Sequence, residues 1–348
     1  MRYLQDQLIA YIGNKRTLLP FLQRVFSQYA GAAAGLRFYD PFAGAGAVSR
    51  LAKTMGYQVH CNDWEEYSYV INSCWLGVDQ CDLDLIFQKR GGVEAVFNEL
   101  QSVGEHGKPV QPYISRHYAP KRTATADYRR ERLFYTRENA EFIDAVRTQI
   151  DEWYPDGELE AGDIRAKHIL LGSLLYEAAT HANTSGVFKA FHKGFGGHGG
   201  DALGRIMAPM QLEIPVLHDS LPGVRHVVTR MDAARAAGEG SYDLVYLDPP
   251  YNCHQYGSNY FMLNTIARWD RPAVDNSFAP DGRLAQKAGI RKDWTDTRSP
   301  FCSRSLASQA LAGLLDTLDS RFIMMSYNTD GIISFEEQMD LFASRGKV

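Results

Sequence analysis

The sequence predicts an α/β protein with a doubly wound parallel sheet and an inserted, mostly helical segment. Residues 36–63 read as strand, glycine-rich bend, helix and strand, and a similar alternation resumes near residue 224. Between them, apolar residues recur at spacings of three and four, which is typical of helices. Alternating strands and helices favour a parallel sheet covered on both faces.

Composition narrows the class of protein. The 348 residues are 45% hydrophobic and 22% charged, as in an ordinary globular chain. No apolar run has the length of a membrane span and the N-terminus lacks a signal-peptide core, so we expect a cytoplasmic protein without membrane contact. The five cysteines contain no C-x-x-C pair, so neither a disulfide framework nor a metal site is expected. A net charge of −4 argues against a protein that coats nucleic acid, although local basic clusters allow a basic groove.

The elements follow in order along the chain. A turn at Gly13 delivers Lys15 to a helix start, and a strand at 36–39 leads through the glycine-rich bend into a helix from about Ala47. The next strand ends in Asp63. We expect residues 1–64 and 216–348 to form the sheet-bearing domain and residues 65–215 to form the inserted helical region.

The stretch "VYLDPPY", residues 245–251, ends a buried strand on an acid, two prolines and a tyrosine. The prolines remove two backbone donors and fix φ, so the chain leaves the sheet as a stiff corner. That corner holds the Asp248 carboxylate, a free carbonyl and the Tyr251 ring in fixed relation, which suits a planar ring that carries an amine. The alternative interpretation is an ordinary turn that ends the strand and has no catalytic role.

The loop "DPFAGAG", residues 40–46, indicates an adenosyl cofactor. It follows a strand, opens a helix and precedes an acid at the next strand end by about 20 residues, as in sheets that bind adenosine and its ribose. Asp40 would repel a pyrophosphate but could hold an ammonium, and the phosphate-cradling G-x-x-x-x-G-K-[ST] motif is absent. S-adenosylmethionine therefore fits better than NAD, while simple helix capping remains the alternative for the glycines.

Five motifs in order, "YIGNK", "DPFAGAG", "ND" at 62–63, "MD" at 231–232 and "DPPY" at 248–251, resemble the D12 class of DNA adenine-N6 methyltransferases. The resemblance runs from Tyr11 to about Ser334. The extended "DPPYNxxQYxxNY" and the later "SYNTDGIIS" are similar to a subgroup that contains restriction-modification methylases. That subgroup favours Arg where this chain has His254, a departure that concerns target contacts rather than chemistry.

The resemblance implies a Rossmann-like S-adenosylmethionine-dependent fold and a set of site residues. Tyr11 and Lys15, around Gly13, would flank the methionine end of the cofactor. Asp63 would accept hydrogen bonds from the ribose hydroxyls, and Asp232 would accept one from the cofactor's adenine amine. Helix N-capping after a strand is the alternative interpretation of both acids. The cofactor loop would be formed by Asp40, Phe42, Gly44 and Gly46.

The corner would be catalytic. Asp248 and the carbonyl of Pro249 would each accept one hydrogen of an adenine amine, which directs its lone pair toward the methyl donor, and Pro250 would keep the corner rigid. Neither a metal nor a covalent intermediate is needed, because positioning and preorganised charge suffice. The base would have to leave the duplex, and Tyr251 would stack on it.

Double-stranded DNA is the expected partner, with a cognate restriction endonuclease or defence-system subunit as a second. Basic and aromatic residues interleave in the inserted region, as contacts to phosphates and bases require. The candidate DNA contacts are Arg122, Arg129, Lys189, Lys193, Arg291 and Lys292, although charge runs are also typical of solvated helix faces.

Three other functions stay open. Asp-Pro-Pro-Tyr also occurs in RNA base methyltransferases, and no separate RNA-binding module is evident in the sequence. A protein-glutamine methyltransferase would more often carry Asn in place of Asp248. A catalytically inactive DNA-binding protein with the same fold would have little reason to keep Asp40, Asp63 and Asp248 together at three strand ends.

Overall fold

The chain folds around a parallel sheet. The computed structural model describes residues 1–31, 33–157, 159–197, 200 and 202–348. Within those residues the sheet has five strands, all paired in parallel, in the order β3-β2-β1-β4-β5. The predicted doubly wound, Rossmann-like α/β fold is confirmed. The strands are β1 (Arg37–Asp40), β2 (Gln58–Asp63), β3 (Val227–Arg230), β4 (Ser241–Leu247) and β5 (Asp319–Met325).

Helices cover both faces of the sheet and build the region between β2 and β3. In the described part of the chain, no helix is long and apolar enough to cross a membrane. The α-helices are α1 (Arg2–Gln5), α2 (Leu19–Tyr29), α3 (Ala47–Thr54), α4 (Glu66–Trp75), α5 (Leu83–Ile86), α6 (Val93–His106), α7 (Ile114–His117), α8 (Arg137–Trp153), α9 (Ala161–Thr180), α10 (Leu203–Met207), α11 (Ala233–Ala237), α12 (Tyr256–Asn259), α13 (Phe261–Arg268), α14 (Ala307–Thr317) and α15 (Phe335–Ala343). Short 3₁₀ turns span Arg16–Leu18, Gln80–Asp82, Gln88–Arg90, Thr123–Thr125, Lys292–Thr297 and Pro300–Cys302.

The central strands are buried on both sides because successive side chains point to opposite faces. One face packs against α2 and α3 through Phe38, Leu244 and Tyr246. The other face packs against α14 through Tyr39 and Val245. This two-sided burial explains why the strands read in the sequence as short continuous apolar runs.

The order of the strands creates a crevice between β1 and β4. Tyr39 of β1 is in register with His60 of β2 on one side and with Val245 of β4 on the other. From β1 the sheet continues to β2 and β3 in one direction and to β4 and β5 in the other. Ligands of doubly wound sheets bind at such a reversal, beyond the carboxyl ends of the strands. Asp40 ends β1 and Asp248 follows β4, so the two acids lie at this crevice.

The inserted region packs directly on the predicted sheet-bearing domain. Its apolar core includes α4 and is continuous with α13. The buried Arg147 of α8 reinforces this junction, because its guanidinium donates to the carbonyl oxygens of Ile266 (2.9 Å) and Ala267 (3.3 Å) at the end of α13. The division at residues 64/65 and 215/216 stays a prediction.

The polar stretch 271–304, which the sequence suggests is a loop, has fixed structure. Its chain pairs with itself between Phe278 and Leu284 and forms two 3₁₀ turns further on. Arg132 of the inserted region is 2% exposed, and its guanidinium donates to the carbonyl oxygens of Asp275 (2.6 Å) and Gln286 (2.8 Å). A buried arginine with these contacts ties the stretch to the inserted region.

Candidate active site

One cavity lies at the crevice between β1 and β4. It has a volume of about 1030 Å³, including its opening to solvent. All four residues of the predicted catalytic corner line it, as do seven of the nine predicted cofactor residues: Tyr11, Gly13, Lys15, Asp40, Phe42, Asp63 and Asp232. The two exceptions are Gly44 and Gly46, which belong to the glycine-rich loop but do not line the cavity.

The glycine loop is held from two sides. The Gly44 amide donates to Asp63 Oδ2 (2.8 Å) at the end of β2, and its carbonyl accepts from Ser68 Oγ (2.7 Å) on α4. A Cβ on Gly44 would lie 2.5 Å from the Tyr11 ring, and one on Gly46 would lie 2.2 Å from Asn72 Oδ1. Both positions also have positive φ. Only glycine therefore allows this loop to pass so close to its neighbours.

Asp40 places a carboxylate in the wall of the cavity with one oxygen free. The residue is 2% exposed, and Oδ2 accepts from Ser49 Oγ (2.7 Å), whereas Oδ1 is buried with no hydrogen-bond partner. Burial raises the pKa of Asp40 to about 7, although the Ser49 hydrogen bond opposes that rise. An unpaired buried carboxylate oxygen is costly, so the site is suited to a cationic or hydrogen-bond-donating ligand.

The catalytic corner is rigid beyond its two prolines. The Tyr251 carbonyl accepts from the Ile332 amide (3.0 Å), and the Tyr251 ring meets the Tyr327 ring edge-to-face at 6.4 Å. Tyr327 belongs to the "SYNTDG" motif that follows β5. Through this contact the later motif supports the Tyr251 ring of the corner.

Lys15 contacts the catalytic carboxylate. Its Nζ lies 2.7 Å from Asp248 Oδ1 and 2.6 Å from Oδ2, and it also donates to the Gly13 carbonyl (2.8 Å). Desolvation raises the pKa of Asp248 above its ordinary value, whereas the Lys15 charge and hydrogen bond lower it. The sequence assigns Lys15 to the cofactor alone, so this contact with Asp248 is an addition to the prediction.

The N-terminal turn that carries Lys15 rests on an aromatic cluster. Tyr11 stacks on Tyr260 with ring centroids 4.8 Å apart, and its hydroxyl lies 3.0 Å from that of Tyr67. The Tyr260 hydroxyl accepts from the Ile12 amide (2.8 Å). Gly13 has φ +77°, which allows the turn. Thus α4 and the junction of α12 and α13 fix the turn beside the catalytic corner.

The acids that follow β2 and β3 also act on the backbone. Asp63 accepts from the amides of Gly44 and Glu65, so both its oxygens already have one partner. Asp232 Oδ1 caps α11 by accepting from the amides of Ala234 (3.0 Å) and Arg235 (3.2 Å). Asp232 therefore caps a helix, as the alternative interpretation predicted. Its carboxylate still has lone pairs with which to accept hydrogen bonds from a ligand.

Several cavity residues escaped the sequence prediction. Glu65 is 3% exposed, accepts from Asn264 Nδ2 (2.5 Å) and Thr297 Oγ1 (3.1 Å), and burial raises its pKa to about 7. Glu65 could have been predicted as a site residue, because it lies two residues after Asp63, the acid that ends β2. Thr297 and Phe301 close the cavity from the polar stretch, far along the chain, and no local pattern marks them.

The predicted DNA contacts divide into two groups. Arg122, Arg129, Lys189, Lys193 and Lys292 are exposed. Arg291 departs from the expectation, because it is 4% exposed and its guanidinium is ion-paired with Asp270 (2.5 Å) and Asp293 (2.7 Å). This buried ion-paired position argues against a DNA contact by Arg291 and indicates a structural one.

Comparisons with known proteins agree with this geometry. The family model described as D12 class N6 adenine-specific DNA methyltransferase matches residues 11–340. The chain is 34% identical over 338 residues to Type II methyltransferase M.NlaIII of Neisseria lactamica, covering 97% of this chain and 88% of that protein. It is 26% identical over 339 residues to Type II methyltransferase M.CviAII of Paramecium bursaria Chlorella virus 1, covering 97% and 89%.

A further relative is longer. Modification methylase LlaI of Lactococcus lactis subsp. lactis is 28% identical over 333 residues, which is 95% of this chain but 48% of that protein. The chain therefore spans about half the length of this relative. The predicted family is confirmed, and with it adenine-N6-specific DNA methyltransferase activity: the chain belongs to the D12 class of N6 adenine-specific DNA methyltransferases.

Proposed function

We propose that this chain uses S-adenosylmethionine to methylate the N6 amine of an adenine flipped out of a specific DNA duplex sequence. The observation that carries the proposal is the placement of Asp40 and Asp248. Asp40 ends β1, Asp248 follows the neighbouring parallel strand β4, and both line a single cavity. One acid has a free buried oxygen for a cationic group, and the other lies at the rigid corner where an amine can be held.

The cavity fits S-adenosylmethionine, which supplies an electrophilic methyl group on a sulfonium. The Oδ1 of Asp40, which has no hydrogen-bond partner, would accept from the ammonium of the methionine part. The exposed Asp232 and the half-buried Asp63 carry carboxylates at the ends of β3 and β2, where the adenosine part would lie. S-adenosylmethionine carries no phosphate, which suits a cavity lined by acids, since these acids would repel a pyrophosphate.

Asp248 and Pro249 act on the target amine. Two acceptors at fixed positions draw the amine hydrogens into their plane, so the nitrogen lone pair points out of the adenine ring toward the methyl donor. Positioned charge also stabilises the cation that develops on nitrogen. Lys15 contacts both oxygens of Asp248, and each oxygen keeps a further lone pair that can accept from the amine.

An exposed basic surface beside the polar stretch is the proposed DNA interface. Arg129 and Lys193 lie over the Tyr128 ring, at 5.6 and 5.9 Å from its centroid. Arg130 lies 5.5 Å from the ring centroid of Phe278, which is 52% exposed. Cations that alternate with rings suit phosphates and bases together, and they offset the net negative charge locally. Arg122 and Lys292, which are also exposed, remain candidate DNA contacts.

Modification in a restriction-modification or phage-defence system is the proposed biological role. The support is the similarity to proteins named as type II methyltransferases and modification methylases. A sequence-specific nuclease that cuts the unmodified site is the expected partner.

The reaction itself is tested with purified protein, labelled S-adenosylmethionine and bacterial DNA that lacks methylated adenine. We expect label in N6-methyldeoxyadenosine after nuclease digestion and mass spectrometry. Label in another base, or in RNA only, would contradict the proposal.

Replacing Tyr251 with Ala is expected to remove the stacking surface for the flipped base. The loss in kcat/KM on duplex DNA should correspond to about 1–3 kcal/mol. Tyr251→Phe keeps the ring and serves as the matched control, so its kcat/KM should stay near that of the wild type. An unchanged kcat/KM in Tyr251→Ala would show that the ring does not hold the base.

Replacing Lys15 with Met is expected to move the acid limb of the pH profile to higher pH. Lys15 lowers the pKa of Asp248, and that carboxylate must be ionised to accept the amine hydrogen. Without the lysine, the Asp248 pKa rises and activity is lost sooner as the pH falls. The profile of kcat/KM is measured beside Arg16→Met, whose exposed side chain lies one residue further on. An acid limb that did not move would contradict the assigned effect of Lys15.

A further inference from the structure

A second cleft lies beside the catalytic corner, separated from the active-site cavity by a thin wall. The wall includes the segment between Tyr251 and Tyr256, whose two tyrosines line the cavity, whereas Cys253 and Gln255 line the cleft. Ser299 borders both spaces. A strand of DNA that delivers a base to Tyr251 would therefore lie beside the cleft.

Specific contacts fix this wall. The Gln255 side-chain amide donates to the Ser299 carbonyl (3.1 Å), and its oxygen accepts from the Ser299 amide (2.8 Å). The Cys302 thiol, 4% exposed, donates to the His254 carbonyl (3.4 Å). The catalytic corner and the polar stretch are thus joined, and the cleft is a formed feature rather than a gap between loops.

The lining of the cleft combines two exposed cations with apolar surface. Lys189 comes from the inserted region and Arg298 from the polar stretch, and neither has an ion pair among the described residues. The Arg298 guanidinium lies 5.1 Å from the Trp294 ring centroid, which holds it beside the cleft. Ile290 and Leu306 add apolar surface. Cations beside apolar walls match the phosphate and the sugar or base of one nucleotide.

We propose that this cleft binds the nucleotide next to the methylated adenine on the same DNA strand, with its phosphate between Lys189 and Arg298. The inference rests on the proposed function, because it requires a DNA strand that enters the active site. Holding the neighbouring nucleotide keeps the target base from returning to the duplex. Lys189 and Arg298 are therefore DNA-positioning residues rather than catalytic ones.

The test pairs protein variants with neutral DNA linkages. Duplexes of the enzyme's own target sequence carry one uncharged methylphosphonate linkage, either 5′ or 3′ of the target adenine, and a third duplex carries it six nucleotides away. DNA affinity is measured with S-adenosylhomocysteine present for the wild type, Lys189→Ala and Arg298→Ala. Lys89→Ala, an exposed lysine in the 3₁₀ turn Gln88–Arg90, is the matched control.

One neighbouring linkage is expected to lower wild-type affinity roughly tenfold, as loss of a charged hydrogen bond does. On unmodified DNA, the affinity of each variant should fall by a similar factor. The neutral linkage should then lower the affinity of each variant little further, because the contact it removes is already lost. The slope of log affinity against log salt should also fall by about one in each variant. The proposal would be overturned if the neutral linkage lowered the affinity of both variants by the same factor as that of the wild type. It would also be overturned if neither neighbouring linkage lowered the affinity of the wild type. Absence of methyl transfer by the wild type on the unmodified duplex would instead reject the proposed function.

Discussion

Replacing Asp248 with Ala is expected to lower the rate of methyl transfer by at least about 1000-fold, the scale of losing a preorganised electrostatic group at the reacting atom. The carboxylate is one of two acceptors for the amine, and no other acid of the corner replaces it. Cofactor affinity should largely survive, because the hydrogen bonds that hold the glycine loop and Asp40 do not involve Asp248. The rate is measured in single-turnover experiments, and the affinity by calorimetry.

Two controls separate chemistry from folding in this variant. Asp319→Ala removes an exposed acid at the opposite end of β5 and should retain the wild-type rate. Asp248→Asn keeps the shape of the side chain but gives a donor in place of one oxygen, so it should be nearly as slow as Asp248→Ala. Substantial activity in Asp248→Ala would show that another group holds the amine.

Replacing Asp40 with Asn is expected to weaken S-adenosylmethionine binding by at least about tenfold, since an ammonium loses its charged partner. The wild-type affinity should also depend on pH. Burial raises the pKa of Asp40 to about 7, and only the ionised form attracts the ammonium. Binding should therefore weaken as the pH falls below about 7, and binding near this pH should release protons.

Calorimetry in buffers of different ionisation enthalpy measures both effects, and it does not require methyl transfer. In Asp40→Asn the pH dependence should be largely lost. Glu65→Gln is the necessary comparison, because burial raises the pKa of Glu65 to about 7 in the same cavity. A pH dependence that disappeared in Glu65→Gln and persisted in Asp40→Asn would assign the proton to Glu65 instead.

The sequence predicts the sheet and its corner well because these depend on local patterns. Glycines with positive φ, prolines that end a strand and acids at strand ends have their effects within a few residues. The strand predicted at 36–39 is shifted by one residue, since β1 spans Arg37–Asp40.

The parts that could not be predicted depend on contacts between distant segments. Arg291 reads as an exposed cation within a basic run, but Asp270 and Asp293 pair with it only in the folded chain. The contact of Lys15 with Asp248 joins residues 233 positions apart. Phe301 reaches the cavity through a polar stretch with no periodic pattern. Local sequence gives the residue types of the site, whereas tertiary packing decides which cations stay free.

The central claim is most directly tested by expressing the chain in a bacterium that lacks DNA methylation and sequencing the host DNA with direct detection of modified bases. The expected result is N6-methyladenine at nearly every occurrence of one short sequence, and none in cells that express Asp248→Ala at the same level. Unmodified DNA in cells that contain the folded wild-type protein would contradict the account.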